Sequence, residues 1–287
     1  MPELPEIEIV KRSLFKMINK AKIIDIKISN KNLRYKIPYD FYQKLIGKRI
    51  LSISRRSKYL IFSFGQKILL IHLGMTGKFL LMRNFDNTLF KTSFYYDLNI
   101  LKKHNHIYFT LSNGFILIYN DVRRFGFFKL YDNNNLNKIP FLNKLGLEPF
   151  NKKFNSIYFN NFCKSRKKNI KNLLMDQTFV SGLGNIYVNE ILFKSKIHPL
   201  RSSKNLKIKE IKRIILNIRK ILSFSISKGG SSIRDFKNTS GKSGQFQQFF
   251  HVYEKENTNC SRISCTGKIK KISISNRSTF YCTKCQR

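Results

Sequence analysis

His106-Ile107-Tyr108-Phe109-Thr110-Leu111-Ser112-Asn113-Gly114-Phe115-Ile116-Leu117-Ile118-Tyr119 decides the first half of the chain. Two stretches rich in β-branched and aromatic residues meet at Asn113-Gly114. An Asn-Gly pair between such runs is a strong hairpin signal, because both residues tolerate the positive φ of a tight turn. Upstream, Ile24, Ile26 and Ile28 alternate, and so do stretches in residues 50–54, 59–64 and 67–73. Several short strands separated by turns predict a sandwich or a barrel. Ahead of them Ile7, Val10, Leu14 and Met17 or Ile18 fall on one face of a helix over residues 6–18. Pro5 sits where a first turn tolerates proline, and acids precede and open the helix as its dipole favours.

After about residue 131 the character changes. Residues 132–138 are polar and Asn-rich, as a linker would be. Residues 154–178, 185–195 and 207–227 read as helices. In the last of these Ile211, Ile214, Ile215, Ile218, Ile221 and Leu222 form an apolar stripe, which Gly229-Gly230 terminates. Residues 237–248 are small and polar and read as a mobile loop. The Gly-Lys-Ser within them lacks the earlier glycine of a phosphate-binding loop.

The 287 residues carry 55 Lys+Arg against 16 Asp+Glu, a formal charge of +39. Such a surface attracts polyanions: nucleic acid first, an anionic membrane second. No apolar run is long enough to cross a bilayer, and the acidic N-terminus is not a secretory signal, so a cytoplasmic protein is expected. Four of the five cysteines crowd the C-terminus as Cys260, Cys265, Cys282 and Cys285, spaced C-x4-C-x16-C-x2-C. Two close pairs flanking a hairpin-length segment fit tetrahedral zinc ligation, and a hairpin this small needs metal to fold. Cys163 stands apart as a small packing residue.

Six blocks together resemble the formamidopyrimidine-DNA glycosylase family, and they occur in the family's order. They are Met1-Pro2-Glu3-Leu4-Pro5-Glu6, Arg55-Arg56-Ser57-Lys58-Tyr59-Leu60, His72-Leu73-Gly74-Met75-Thr76-Gly77, Asp121-Val122-Arg123-Arg124-Phe125-Gly126, Gly182-Leu183-Gly184-Asn185-Ile186-Tyr187 and the cysteine hairpin. The resemblance implies an α+β fold: an N-terminal β-sandwich with a leading α-helix (1–131), a linker (132–149), a helix–two-turn–helix domain with a lesion-capping loop (150–249) and a zinc-finger hairpin (250–287). It implies a monomer that binds lesion-bearing double-stranded DNA in the cleft between its domains. It also implies excision of oxidised purines, 8-oxoguanine and formamidopyrimidines, followed by β,δ-elimination.

The residue roles follow from the same resemblance. Pro2, exposed by loss of Met1, is the nucleophile. Its secondary amine titrates as a chain terminus does, so a neutral fraction can attack the sugar C1′. Glu3 is the catalytic acid/base, Glu6 a supporting acid, and Lys58 completes the catalytic set. Lys58 together with His72, Asn185 and Arg277 grips phosphates around the lesion, and Lys171 resembles another DNA-binding family lysine near the lesion site. Met75, Arg123 and Phe125 fill the gap left by the everted nucleotide, with Arg123 facing the orphaned base. One structural zinc is expected on the four cysteines. The chain departs from the family in three places. Its first cysteine pair has four intervening residues where two are usual, residues 84–103 look longer, and Asn105 stands where Asp is common. The competing readings are an endonuclease VIII-like enzyme for oxidised pyrimidines, a catalytically decayed DNA-binding protein, and a zinc-ribbon RNA-binding protein. Leu4 and the Arg123–Gly126 run favour the purine branch.

Overall fold

A computed structural model describes residues 2–85, 89–90, 102–133, 136–164, 166–231 and 246–287. Most of the expected 84–103 insertion and of the 237–248 loop, and Met1 itself, lie outside the described residues. The chain forms two compact units, Met1–Asn143 with Lys228–Gln245, and Lys144–Ser227 with Phe246–Arg287.

The first unit opens with helix α1 (Leu4–Ile18), whose Ile7, Val10, Leu14 and Ile18 enter the core as the 3.6-residue period requires. Two antiparallel sheets follow. One has five strands in the order β1 (Ile23–Ile28), β7 (Asn105–Leu111), β8 (Phe115–Asn120), β5 (Lys78–Arg83) and β6 (Leu89–Phe90). The other has four, in the order β2 (Ser52–Arg56), β3 (Tyr59–Ser63), β4 (Lys67–His72) and β9 (Phe127–Asp132). Their inner faces meet in one apolar core, including Leu69, Ile71, Phe79 and Phe128, which settles sandwich over barrel. A short helix, α2 (Phe41–Leu45), covers one part of it.

Two details differ from the reading of the sequence. The hairpin at Asn113-Gly114 forms, but its loop spans three residues between Leu111 and Phe115, with Gly114 alone in the left-handed region at φ +79°. That is a loop closed by one αL glycine, so only the glycine is conformationally required. In β1 the alternation of Ile24, Ile26 and Ile28 is broken. A register shift between Ile23 and Asp25 turns Ile23 inward with Ile26, and leaves Ile24 54% exposed. The bulge inserts one residue into the period of two.

The second unit is helical: α3 (Ser156–Lys164), α4 (Ile170–Met175), α5 (Asn185–Lys194) and α6 (Ile208–Ser227). The single helix expected over 154–178 is therefore two. Asn169 caps α4, its side chain accepting from Asn172 N–H at 2.8 Å, and Ile170 N–H is donated to Arg201 O at 2.8 Å. A capping Asn takes non-helical φ/ψ, so a helix cannot run through it. The last element is the hairpin β10 (Ile269–Ile274) and β11 (Arg277–Cys282). Its turn residues Ser275 and Asn276 have φ +50° and +58°, the conformation of a type I′ turn. No helix among the described residues is long and apolar enough to cross a membrane.

Candidate active site and nucleic-acid interface

The start of α1 gathers buried acid. Pro2 is buried, and Glu3 and Glu6 are 3% and 1% exposed. Glu3 is the N-cap and Glu6 the third helical residue, so the two close a capping box, with Glu3 N–H donated to Glu6 Oε2 at 2.9 Å. The other oxygen of Glu6 accepts from Ser231 N–H at 3.0 Å and Ser231 Oγ at 2.9 Å. Glu6 thus ties the N-terminus to the chain at Ser231, a tie of 225 residues' separation that no local pattern announces.

Lys58 occupies the two-residue turn between β2 and β3 and is buried, which is rare for a lysine on a turn. Arg55 explains how the turn is held. Its Nε donates to Glu8 Oε2 of α1 at 3.0 Å, and its Nη1 donates to Ser57 O at 2.9 Å. Across the ladder Tyr59 pairs with His72. The His72 ring stacks on Phe127 at 5.5 Å, and its Nδ1 accepts Gly74 N–H at 3.0 Å, which places the ring proton on Nε2. Burial, then the Lys58 ammonium and the Arg34 guanidinium, pull its pKa down to about 4. His72 is therefore a neutral donor at neutral pH, whereas Lys58 brings charge.

Met75, Arg123 and Phe125 come together on two loops. Met75 and Phe125 are 37% and 43% exposed, Arg123 Nη1 donates to Met75 Sδ at 3.1 Å, and the guanidinium lies 4.5 Å from the Phe125 ring centroid. The device that holds the loops is Asp121, fully buried. Its Oδ1 accepts from Thr76 Oγ1 at 2.5 Å, and its Oδ2 from Gly126 N–H at 2.9 Å and Tyr119 OH at 3.0 Å. Thr76 Oγ1 in turn accepts Arg123 N–H at 3.0 Å. Close approach demands glycine here: a Cβ on Gly74 would lie 2.5 Å from Gly126 N, and one on Gly126 1.7 Å from the Tyr119 hydroxyl.

In the second unit Lys171, Asn185 and Arg277 converge on the hairpin turn. Asn185 is the first residue of α5, and the two turns before it are braced by Gln177. That side chain donates to Met175 O and Leu183 O and accepts Gly182 N–H at 2.8 Å. Asn185 Nδ2 donates to Ser278 O at 2.9 Å, and Lys171 Nζ reaches Ser278 O and Thr279 Oγ1. Burial, then Arg277, bring the Lys171 ammonium down to about 8. Arg277 itself is exposed. At the other end of the hairpin the Sγ atoms of Cys260, Cys265, Cys282 and Cys285 all lie within 4.8 Å of one another. Four convergent thiols with little core around them are a donor set for a metal ion. Cys163 is buried in the helical core away from them.

No local sequence pattern marks Asp121, Arg55, Thr76 or Ser231 for these roles. Asp121, Arg55 and Thr76 stand inside the family-like blocks, but the bonds that tie Asp121 to Thr76 and Arg55 to Glu8 span 45 and 47 residues. Asn105, in place of the usual Asp, is buried and accepts from Asn120 Nδ2 at 2.7 Å.

Comparison with known proteins first sets the class. Residues 1–128 match the formamidopyrimidine-DNA glycosylase N-terminal domain, and residues 145–237 the H2TH domain of the same proteins. The build is that of a helix–two-turn–helix DNA glycosylase/AP lyase. A Bartonella tribocorum formamidopyrimidine-DNA glycosylase is 41% identical over 298 residues, covering all of both chains. A Lactococcus lactis mutant glycosylase in complex with Fapy-dG-containing DNA superposes with a TM-score of 0.85 at 36% identity over all of both chains. The wild-type L. lactis protein with DNA containing an oxidised pyrimidine gives 0.84 at 36% identity, again over both whole chains. The chain belongs to the formamidopyrimidine-DNA glycosylase family.

Proposed function

We propose that this protein excises oxidised purines from duplex DNA and cleaves the resulting abasic site, with Pro2 as nucleophile once Met1 is removed. The position of buried Pro2 immediately before Glu3, the N-cap of the Glu3–Glu6 capping box, carries the reading. In the proposed step the Pro2 nitrogen lone pair forms a bond to C1′ while the bond from C1′ to the base breaks, and the departing base takes a proton. Glu3, at the helix start beside Pro2, moves protons to and from the opening sugar. The Pro2 nitrogen loses its proton and its lone pair expels O4′, which takes a proton as the C1′–O4′ bond breaks. The open-chain iminium so formed withdraws electrons, so C2′ loses a proton and the 3′ phosphate leaves. A second elimination expels the 5′ phosphate, leaving a one-nucleotide gap.

Lys58, Lys171 and Arg277 supply positive charge for phosphates, and His72 and Asn185 supply neutral N–H donors. Met75 and Phe125 wedge into the stack and Arg123 faces the orphaned base. The pre-formed Met75–Arg123–Phe125 cluster supports that assignment. The cysteine cluster would hold one structural Zn²⁺. Tetrahedral Zn–S bonds of about 2.3 Å place sulfurs about 3.8 Å apart, and Cys260–Cys285 and Cys265–Cys282 stand at 3.8 Å and 3.6 Å. The metal would fix the hairpin that carries Arg277 and take no part in the chemistry. The protein would act in the cytoplasm as a monomer.

The test is borohydride trapping on a duplex with 8-oxoguanine opposite cytosine, the link mapped by mass spectrometry. A covalent product at Pro2 is expected. Binding without trapping, in protein shown to lack Met1, would overturn the catalytic reading. The L. lactis complex with an oxidised pyrimidine keeps one rival in play. Trapping confined to a thymine glycol duplex would select it.

A further inference from the structure

The expanded first cysteine pair builds something besides a metal ligand set. Residues 261–264 fold back on the second unit, and Arg262 Nη2 donates to Phe193 O at 2.6 Å and Lys194 O at 3.2 Å. These are carbonyls of the last turn of α5; Phe193 O also accepts Lys196 N–H at 2.9 Å, and the guanidinium adds a cation where the helix dipole favours one. The same guanidinium packs 4.6 Å from the Phe193 ring centroid. Ser264 takes φ +63° to bring the chain back to Cys265. The turn so formed is one wall of a cavity of about 660 Å³, with Ile263, 98% exposed, on the same wall.

The lining of this cavity is cationic. Lys196, Arg201, Arg213, Arg262, Lys284 and Arg287 face it, with Glu210 as the acid among them. Glu210 holds Arg201 through two bonds of 2.6 and 2.8 Å and also attracts Arg213, so one carboxylate is shared by two of the six cations. Lys284 Nζ donates to Thr266 Oγ1 at 2.6 Å. Among the described residues, Lys196 and Arg287 have no side-chain hydrogen bond or ion pair, and Arg213 has only its electrostatic attraction to Glu210. A metal tetrathiolate at the neighbouring Cys265 and Cys285 would neutralise part of this charge and still leave cations in excess. Like charges brought together in a concave site repel unless an anion enters, and the cavity exceeds the size of one phosphate several times over.

We propose that this cavity is a second phosphate-binding site, separate from the one at the hairpin turn. Arg277 and Cys282 are the two ends of β11, five residue steps or about 17 Å apart, so a phosphate held at the turn does not occupy the cavity. The phosphates come either from the DNA backbone away from the lesion or from a free oligophosphate. The glycosylase reading does not depend on this site.

The experiment uses metal-loaded full-length protein and the double variant Lys196→Ala/Arg213→Ala, both exposed and away from the catalytic set. The first arm follows affinity for a 30-base-pair duplex with a central tetrahydrofuran abasic analogue across a KCl series. The second titrates inorganic triphosphate calorimetrically without DNA. If DNA is the source, the log–log salt slope falls in magnitude by about 2 in the variant, since each neutralised phosphate contributes about 0.9. If the source is free oligophosphate, the slope is unchanged, and the wild type binds triphosphate while the variant does not. Identical behaviour of the two proteins in both arms overturns the proposal, and retained excision of 8-oxoguanine would show that failure to be separate from the enzyme's.

Discussion

Replacing Asp121 by Asn tests whether one buried carboxylate organises the Met75–Arg123–Phe125 cluster. The side chain keeps its shape but loses one acceptor oxygen. Tyr119 OH can rotate to accept from the new amide, and Thr76 Oγ1 keeps an oxygen partner. Gly126 N–H cannot reorient and is left facing a donor. An orphaned buried N–H costs about 1–3 kcal/mol, and losing the charge from the remaining bonds adds about 1 kcal/mol. The expected destabilisation is about 2–4 kcal/mol, a Tm lower by roughly 6–12 °C for a protein of this size. Thr76 also fixes Arg123 N–H, so the Met75 and Arg123 loops lose their common tie. Single-turnover excision of 8-oxoguanine opposite cytosine and opposite adenine, measured well below the lower Tm, should show the preference for cytosine reduced about tenfold, the worth of part of one base contact. Thr76→Ser, which keeps the hydroxyl, should retain the preference, and Thr76→Val should lose it. An Asn variant with an unshifted Tm and unchanged preference would refute the reasoning. A lowered Tm with unchanged preference would refute its functional half.

Three further outcomes are expected. His72 is held neutral by a pKa near 4, below its unfolded value, so the folded state resists protonation. Its contribution to stability is intact above about pH 6.5 and is lost as pH falls toward 4, by up to about 3 kcal/mol. Urea unfolding at pH 7 and pH 4.5 should show a smaller difference in His72→Gln than in the parent. Lys171, lowered to about 8, is depressed below the free lysine value, so its burial penalty is felt below pH 8 and relieved as pH rises toward 10.5. A phosphate nearby would restore the proton, so DNA binding at about pH 8.5 should take up protons. Titration calorimetry in buffers of different ionisation enthalpy should detect this, and Lys171→Met should abolish it. Stripping the metal with a chelator should release the hairpin, whose small core is little more than Phe193, Val252, Ile269 and Phe280. Affinity for lesion duplex should then fall at least about tenfold and return on adding Zn²⁺. Unchanged affinity in protein shown to be metal-free would contradict the structural role of the site.

What the sequence determined by itself was local. The apolar period and Pro5 mark α1 from the sequence over residues 6–18, because a helical face is read within a few turns; the structure starts the helix at Leu4, where Glu3 and Glu6 close the capping box. Gly114 marks the hairpin, because only one residue there needs positive φ. The cysteine pairs announce a ligand cluster, because spacing alone brings their sulfurs close. The order of strands, helices and cysteine hairpin was legible for the same reason. Tertiary structure decided what depends on partners distant in the chain. The bulge that turns Ile24 outward is set by pairing with β7. The break between α3 and α4 is set by Asn169 as cap and by pairing with residues near 201. Arg55 becomes a clamp because Glu8 of α1 lies over its strand. Asp121 becomes the hub of the Met75–Arg123–Phe125 cluster because two loops 45 residues apart both present donors to it. Hydrophobic period and capping are read over a few residues, but a buried carboxylate is stabilised by whatever donors the fold delivers, and those become definite only when the sheets have closed.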